Sequence, residues 1–219
     1  MSRYDINSNP ALVRRLLAEY EAGEAQMRQQ PDSVLLAFKQ ELLALGFRFQ
    51  VLNQAESFMP KYKDVILPLV LKHYRLATRK NEKEYLLGWL HHRGLEEAVP
   101  LLLEEYYTQP PAVDRWFISD RLYQIRSRAY IDDYLRIISN PAYGRARQMV
   151  ILLVGKLKVE AAVPILIGLL EDEEVRLHAI IALGQYKREE FRGYFERFQD
   201  AKQPGWRKYA RAALKKLEG

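Results

Sequence analysis

The stretch Val175-Arg176-Leu177-His178-Ala179-Ile180-Ile181-Ala182-Leu183-Gly184 decides the fold of this chain. Its apolar residues fall at helical spacing, and the arrangement occurs again on both sides. Ala146-Arg147 through Val154-Gly155 aligns with it upstream, and Trp206-Arg207 through Leu214-Lys215 aligns with it downstream. A companion segment, Ala98-Val99-Pro100-Leu101-Leu102-Leu103, recurs two units later as Ala162-Val163-Pro164-Ile165-Leu166-Ile167. Ile66-Leu67-Pro68-Leu69-Val70-Leu71 precedes the first copy by half that interval, and Ile131-Asp132-Asp133-Tyr134-Leu135 fills the place between the two copies. The unit is therefore a helix pair of roughly 30 residues. We call its helices A (VRxxAxxALG type) and B (AVPxLxxLL type). The pairs span about 80–112, 113–142, 143–172 and 173–204, with a terminal A helix at 205–217. One helix pair cannot bury its apolar face alone, whereas stacked neighbours can, so an all-α solenoid is expected.

This pattern resembles the HEAT repeat, in the short variety found in phycobilisome-lyase-like proteins. The match rests on Glu174-Val175-Arg176, Ala179 and Ala182-Leu183-Gly184, with Ala162-Val163-Pro164 and Leu169 as the companion. It covers 80–217 closely and 47–78 more loosely. The resemblance implies a right-handed α–α superhelix, with A helices on the convex side and B helices lining a concave face. The family spans scaffolds, lyase subunits and DNA-repair enzymes, so the fold does not carry a function with it. One continuous domain over 1–219 is expected, with an N-terminal helical cap at 1–46 and stacked helix pairs over 47–217. In the cap, Asn9 precedes Pro10 at a first helical position, and Asp32 or Ser33 caps the next helix. Leu35, Leu36, Phe38, Leu42, Leu43 and Leu45 give that helix a broad apolar face.

Composition narrows the function classes. The chain is 219 residues long, 48% hydrophobic and 28% charged, which suits a packed core. It has no cysteine, which removes disulfide scaffolds, thiolate metal sites and cysteine nucleophiles. The first residues, Met1 to Arg15, hold no apolar signal segment, and runs such as Ile151–Val154 are too short to cross a bilayer. A cytoplasmic protein is expected. The net charge of +6 is unevenly placed: residues 1–112 hold 14 Lys+Arg against 14 Asp+Glu, and residues 113–219 hold 20 against 14. A basic half raises the prospect of an anionic partner. There is no HExxH, GxSxG, GxGxxG or GxxxxGK[ST], and adjacent His91 and His92 point to different sides of a helix. No metal, cofactor or nucleotide chemistry is expected, and an enzyme is the less favoured class.

Four constellations remain. Arg147, Arg176 and Arg207 recur at the second position of the A motif, where regular recurrence favours an inter-repeat ladder to the adjoining turn over an anion row. In the second pair, Ser119-Asp120-Arg121 stands where later A helices read Val150-Ile151-Leu152 and Ala179-Ile180-Ile181, and Trp116 lies one turn before Asp120. This Trp-x-x-x-Asp is similar to the aromatic and acidic pair of HEAT-like alkylpurine DNA glycosylases. By that resemblance Trp116 contacts a nucleotide, Asp120 stabilises positive charge at the sugar and Arg147 supplies the arginine. The second groove tryptophan of that pattern has no counterpart in Ala179–Tyr186.

The B helices supply the leading expectation: a non-enzymatic scaffold that holds a protein or peptide on its concave face. Leu103, Tyr107, Tyr130 and Ile137 are the anchors, and Arg136, Arg192 and Arg197 set register. That face is not visibly basic, which argues against a nucleic-acid groove. The A-to-B turns, by contrast, are basic at every repeat. Arg93, Arg126, Arg128, Lys156, Lys158, Lys187 and Arg188 form a candidate edge for a polyanion or nucleic acid. Cations at helix C-termini also gain a few tenths of a kcal/mol from the dipole alone, so local charge complementation explains them too.

Overall fold

The computed structural model describes residues 32–218 together with Arg14, Arg15, Ala18, Ala22 and Ala25. The cap expected from Asn9 and Pro10 lies outside the described residues. The described residues are helical and contain no strand. No helix among them is long and apolar enough to cross a membrane. Contacts divide the chain into two compact units, 1–89 and 90–219.

The first unit contains α1 (Val34–Ala44), α2 (Leu52–Ala55), α3 (Met59–Leu76) and α4 (Lys80–Gly88). Ser33 caps α1, its hydroxyl accepting from the Leu35 amide at 3.3 Å. A carboxylate from α4 reinforces the cap. Glu82 is 2% exposed and accepts from the Ser33 hydroxyl at 2.8 Å, the Val34 amide at 3.2 Å and Arg79 at 3.1 Å. A buried charge needs this much compensation, and the α1 N-terminus supplies unpaired N–H groups that favour an anion. The apolar face of α1 is narrower than the sequence suggests. Leu35, Phe38 and Leu42 are buried, while Leu45 follows the last turn and is 55% exposed. Phe38 meets Trp89 edge-on at 4.9 Å. The A-type helix α4 packs on α3, so the first pair of the repeat arithmetic is divided between the units.

The second unit alternates the two helix types. The B helices are α5 (Val99–Tyr107), α7 (Ile131–Ser139), α9 (Val163–Gly168) and α11 (Arg192–Glu196). The A helices are α6 (Arg115–Ile125), α8 (Gln148–Leu157), α10 (Arg176–Leu183) and α12 (Pro204–Lys215). Contacts join α6 to α8, α8 to α10 and α10 to α12, and each B helix packs on the A helix that follows it. Local signals start these helices: the Asp114 carboxylate accepts from the Trp116 amide at 2.8 Å, and Pro100 and Pro164 occupy first-turn positions.

The A helices approach closely because their motif places small residues at the crossing. A Cβ added at Gly155 would lie 2.6 Å from both the Cα and Cβ of Ala182. The contact recurs one repeat on, where a Cβ at Gly184 would lie 3.2 Å from the Ala213 Cβ. Glycine and alanine of the ALG triplet are thus the two sides of one inter-repeat contact.

Arginine fixes the same register from the other end of each A helix. Arg115 Nε donates to the Tyr106 carbonyl at 2.7 Å, Arg176 Nε to the Leu170 carbonyl at 2.6 Å, and Arg207 Nη1 to the Ala201 carbonyl at 2.9 Å. Arg147 donates to the Gly144 carbonyl at 3.0 Å and pairs with Asp172 at 2.6 Å. These groups satisfy carbonyls left open where the preceding segment ends. The ladder corrects the sequence register by one residue. Arg115 occupies the arginine column, so Trp116 does not, and Ile118 aligns with Val150 and Ala179. All three are fully buried.

Two glycine substitutions test this packing. Gly155→Ala gains helix propensity but drives a methyl into the α10 backbone, and costs about 2–3 kcal/mol of unfolding free energy. Gly168→Ala, with nothing within 4 Å of the new Cβ, gains about 0.5–1 kcal/mol. Urea unfolding of both variants measures the difference, and equal effects would remove the close contact as the constraint.

Candidate functional site

The three residues of the glycosylase-like reading are engaged in separate contacts. Trp116 Nε1 donates to Gln148 Oε1 at 3.2 Å, and Gln148 in turn donates to the Glu174 carbonyl at 3.0 Å. Asp120 forms an ion pair with neighbouring Arg121 and accepts from Gln124 at 3.3 Å. Arg147 is buried with a side-chain exposure of 3% and is held by Asp172. Burial raises the Asp172 pKa, but the Arg147 hydrogen bond, the Glu174 amide and the Arg147 and Arg176 charges outweigh it and hold that carboxyl below its usual range. Ser119 is fully buried and donates to the Ala146 carbonyl at 2.5 Å. Of the polar replacement that stands out in sequence, Ser119 thus contacts the segment that leads into α8, while Asp120 and Arg121 pair within α6.

The B-helix anchors divide by burial. Ile137 is fully buried and Leu103 is 7% exposed, so both serve the core and offer almost no surface. Their inward position corrects the outward set read from sequence. Ile137 aligns with the buried Leu169 of the next repeat, so a repeat register one residue off turned it outward. Tyr107 is half-buried, donates to the Asp133 carboxylate at 3.3 Å and lies under Arg136 at 5.8 Å. Its hydroxyl is pushed up to about 12, first by burial and then by Asp133. Tyr130 is half-buried. Arg136 pairs with Asp133, Arg192 with Glu189 and Arg197 with Glu171.

The basic turns have a geometry that composition does not reveal. Arg126, Lys158 and Lys187 have φ of 62°, 50° and 54°, and Gly94 has φ of 79°. The four fall at equivalent places in successive repeats. Each closes the turn after an A helix in the left-handed conformation that glycine adopts without cost. Around Lys158 the closure is complete: its amide returns to the Gly155 carbonyl at 3.1 Å, and the Val159 amide to Val154 at 3.0 Å. In three of the four repeats a long cation occupies the glycine position.

The seven basic residues of the edge do not behave alike. Arg188 pairs with Glu160, and Arg128 donates to the Leu157 carbonyl at 2.6 Å. Arg126 donates to its own helix at the Tyr123 carbonyl, 3.2 Å, and lies over the Tyr123 ring at 5.1 Å. Arg93, Lys156, Lys158 and Lys187 are exposed and make no side-chain hydrogen bond or ion pair among the described residues. Arg93, Arg126 and Lys156 line an open pocket of about 380 Å³, together with Gly94 and Glu96, over Ile125 and Leu157. His91 and His92 stand just before, past the end of α4 rather than on different sides of a helix, and their ring centroids lie 4.0 Å apart. Burial, then the neighbouring His91, lowers the His92 pKa, so His92 adds no charge to the edge at neutral pH. The sequence names these basic residues but shows neither the left-handed column nor the pocket. The only signal for the column was Gly94 at the repeat spacing before Arg126.

No protein-family model matches this chain, and no curated protein matches it.

The left-handed cations are a measurable strain. A non-glycine residue there costs about 1–2 kcal/mol, so Lys158→Gly and Lys187→Gly each raise the unfolding free energy by about 1 kcal/mol. Thermal and urea unfolding report the gain, and a loss on substitution by glycine would show that these lysines stabilise the turns.

Proposed function

We propose that this chain is a non-enzymatic helical-repeat binding protein that holds an anionic partner along the basic turns after its A helices. One observation carries the reading: cations without a partner among the described residues, two of them at strained left-handed positions where glycine would sit without strain. Magnitudes decide against simple dipole complementation. A cation at a helix C-terminus gains about 0.3–1 kcal/mol, whereas the left-handed conformation costs a lysine or arginine about 1–2 kcal/mol. The helix end alone therefore favours glycine, and a charge kept there needs a further use.

The repeat reading supports the same assignment. Neighbour-to-neighbour contacts along the A row and the regular recurrence of the helix pair suit a HEAT-like right-handed solenoid, in which equivalent turns fall on one edge. A partner on the B-helix face is less well supported, because Leu103 and Ile137 are buried and Tyr107, Arg136, Arg192 and Arg197 have partners within the chain.

Heparin affinity tests the edge. The variant carrying Glu at Arg93, Lys156, Lys158 and Lys187 loses salt-dependent retention while keeping its helical circular dichroism. A charge-matched variant with Glu at Arg136, Arg192, Arg197 and Arg211 stays retained. Equal loss in both would assign retention to net charge alone, and unchanged retention in the first would reject the edge.

A further inference from the structure

We propose that the pocket formed by Arg93, Arg126 and Lys156 is a binding site for a phosphate monoester. It rests on the reading of the basic edge and gives one point on that edge a defined ligand.

The pocket brings together cations from three successive turns of the second unit, at positions 93, 126 and 156. Two of them, Arg93 and Lys156, have no partner among the described residues. The third, Arg126, is held at φ 62° with its guanidinium stacked on Tyr123, which restricts the side chain before any ligand arrives. Three cations and the Glu96 carboxylate leave two positive charges around one space. A phosphate monoester carries about −1.5 to −2 at neutral pH and presents three strong acceptor oxygens. Planar guanidiniums match those oxygens in pairs, and Lys156 adds a point charge, so the set favours phosphate over a single carboxylate. A volume of about 380 Å³ suits a phosphorylated group of small-molecule size.

Comparison between repeats explains why the pocket opens here. Gly94 stands where the later turns carry Arg126, Lys158 and Lys187, so no side chain projects from that backbone position. Glu96 stands where the next repeat carries Arg128, and Arg128 is used up in a hydrogen bond to the Leu157 carbonyl. The Tyr186 hydroxyl, at the position equivalent to Leu157, donates to the Val159 carbonyl at 2.7 Å. The repeat unit thus departs from its own pattern at the residues that line the pocket.

The test is an amide NMR titration of the full chain with inorganic phosphate, ribose 5-phosphate, and a phosphoserine peptide beside its unphosphorylated form. The expected result is saturable shifts at the Gly94 and Arg126 amides with the phosphorylated probes only. The tighter of the sugar and peptide ligands identifies the source of the phosphate. Arg93→Gln and Lys156→Gln each weaken binding at least tenfold. Arg126→Gly does the same while raising the melting temperature, because it relieves the left-handed strain, so its loss of binding cannot come from unfolding. No shift with any phosphorylated probe up to about 10 mM, a range well past millimolar affinity, would overturn the pocket. So would affinity that is unchanged in the three variants. Heparin retention that persists through those outcomes leaves the basic edge standing, whereas absence of heparin retention in the wild-type chain removes both.

Discussion

The close approach of α8 and α10 at Gly155 and Ala182 is the constraint on which the second unit depends. With only 2.6 Å between a hypothetical Gly155 Cβ and the Ala182 backbone, the two helices can meet at this point only without a side chain. The Gly184–Ala213 contact repeats the arrangement one helix further on. Once the A helices are held at these points, their ends come into register, and so do the segments that leave them. The turn after each A helix must reverse toward a B helix within a short span. That reversal requires a left-handed residue, found at Gly94, Arg126, Lys158 and Lys187. The backbone geometry of the basic edge therefore follows from packing in the core, although its side chains point away from it.

Two columns of cations result, and they have opposite fates. Arg115, Arg147, Arg176 and Arg207 sit near the start of the A helices and turn toward carbonyls of the preceding segments. Their planar, multiply donating head groups satisfy acceptors that would otherwise be stranded, and a buried unsatisfied carbonyl costs more than a hydrogen bond gains. Arg147 also needs Asp172, because a guanidinium at 3% exposure without a counter-charge would be strongly destabilising. The other column lies at and just past the ends of the A helices. Lys156, Lys158 and Lys187 are exposed and make no side-chain hydrogen bond or ion pair among the described residues.

The polar patch of α6 shows how sister repeats mislead when their alignment slips by one. In the sequence, Ser119, Asp120 and Arg121 replace apolar residues, which suggests an exposed or catalytic face. In the true register Ser119 aligns with Ile151 and Ile180 and is as deeply buried as they are. It is tolerated there because its hydroxyl meets the Ala146 carbonyl. Asp120 aligns with Leu152 and Ile181, both half-buried, and is neutralised by Arg121 on its own helix. The arginine ladder would have given this register in advance, since Arg115 precedes Arg147 by the same interval that separates Arg126 from Lys158.

The sequence by itself determined the helical class, the recurrence of the helix pair, a cap at Asp32 or Ser33 and the core columns around Ile180 and Leu183. Each of these depends on periodicity or on local hydrogen bonding, and both are written along the chain. It also gives the cations of the turns after the A helices, since charge is a property of composition. Only the tertiary structure decided which of those cations are paired among the described residues. Whether a long side chain is bound depends on a carbonyl or carboxylate from another repeat, as with Arg128 at Leu157 and Arg188 at Glu160. The inward position of Leu103 and Ile137 was hidden for a related reason. Tyr134, Ile137 and Ile138 of α7 are buried like Leu166, Leu169 and Leu170 of the next repeat, a register one residue away from the one the sequence motif suggests, and packing on the A helices fixes it. The pocket at Arg93, Arg126 and Lys156 depends on three turns brought together by stacking, and no local stretch of sequence contains it.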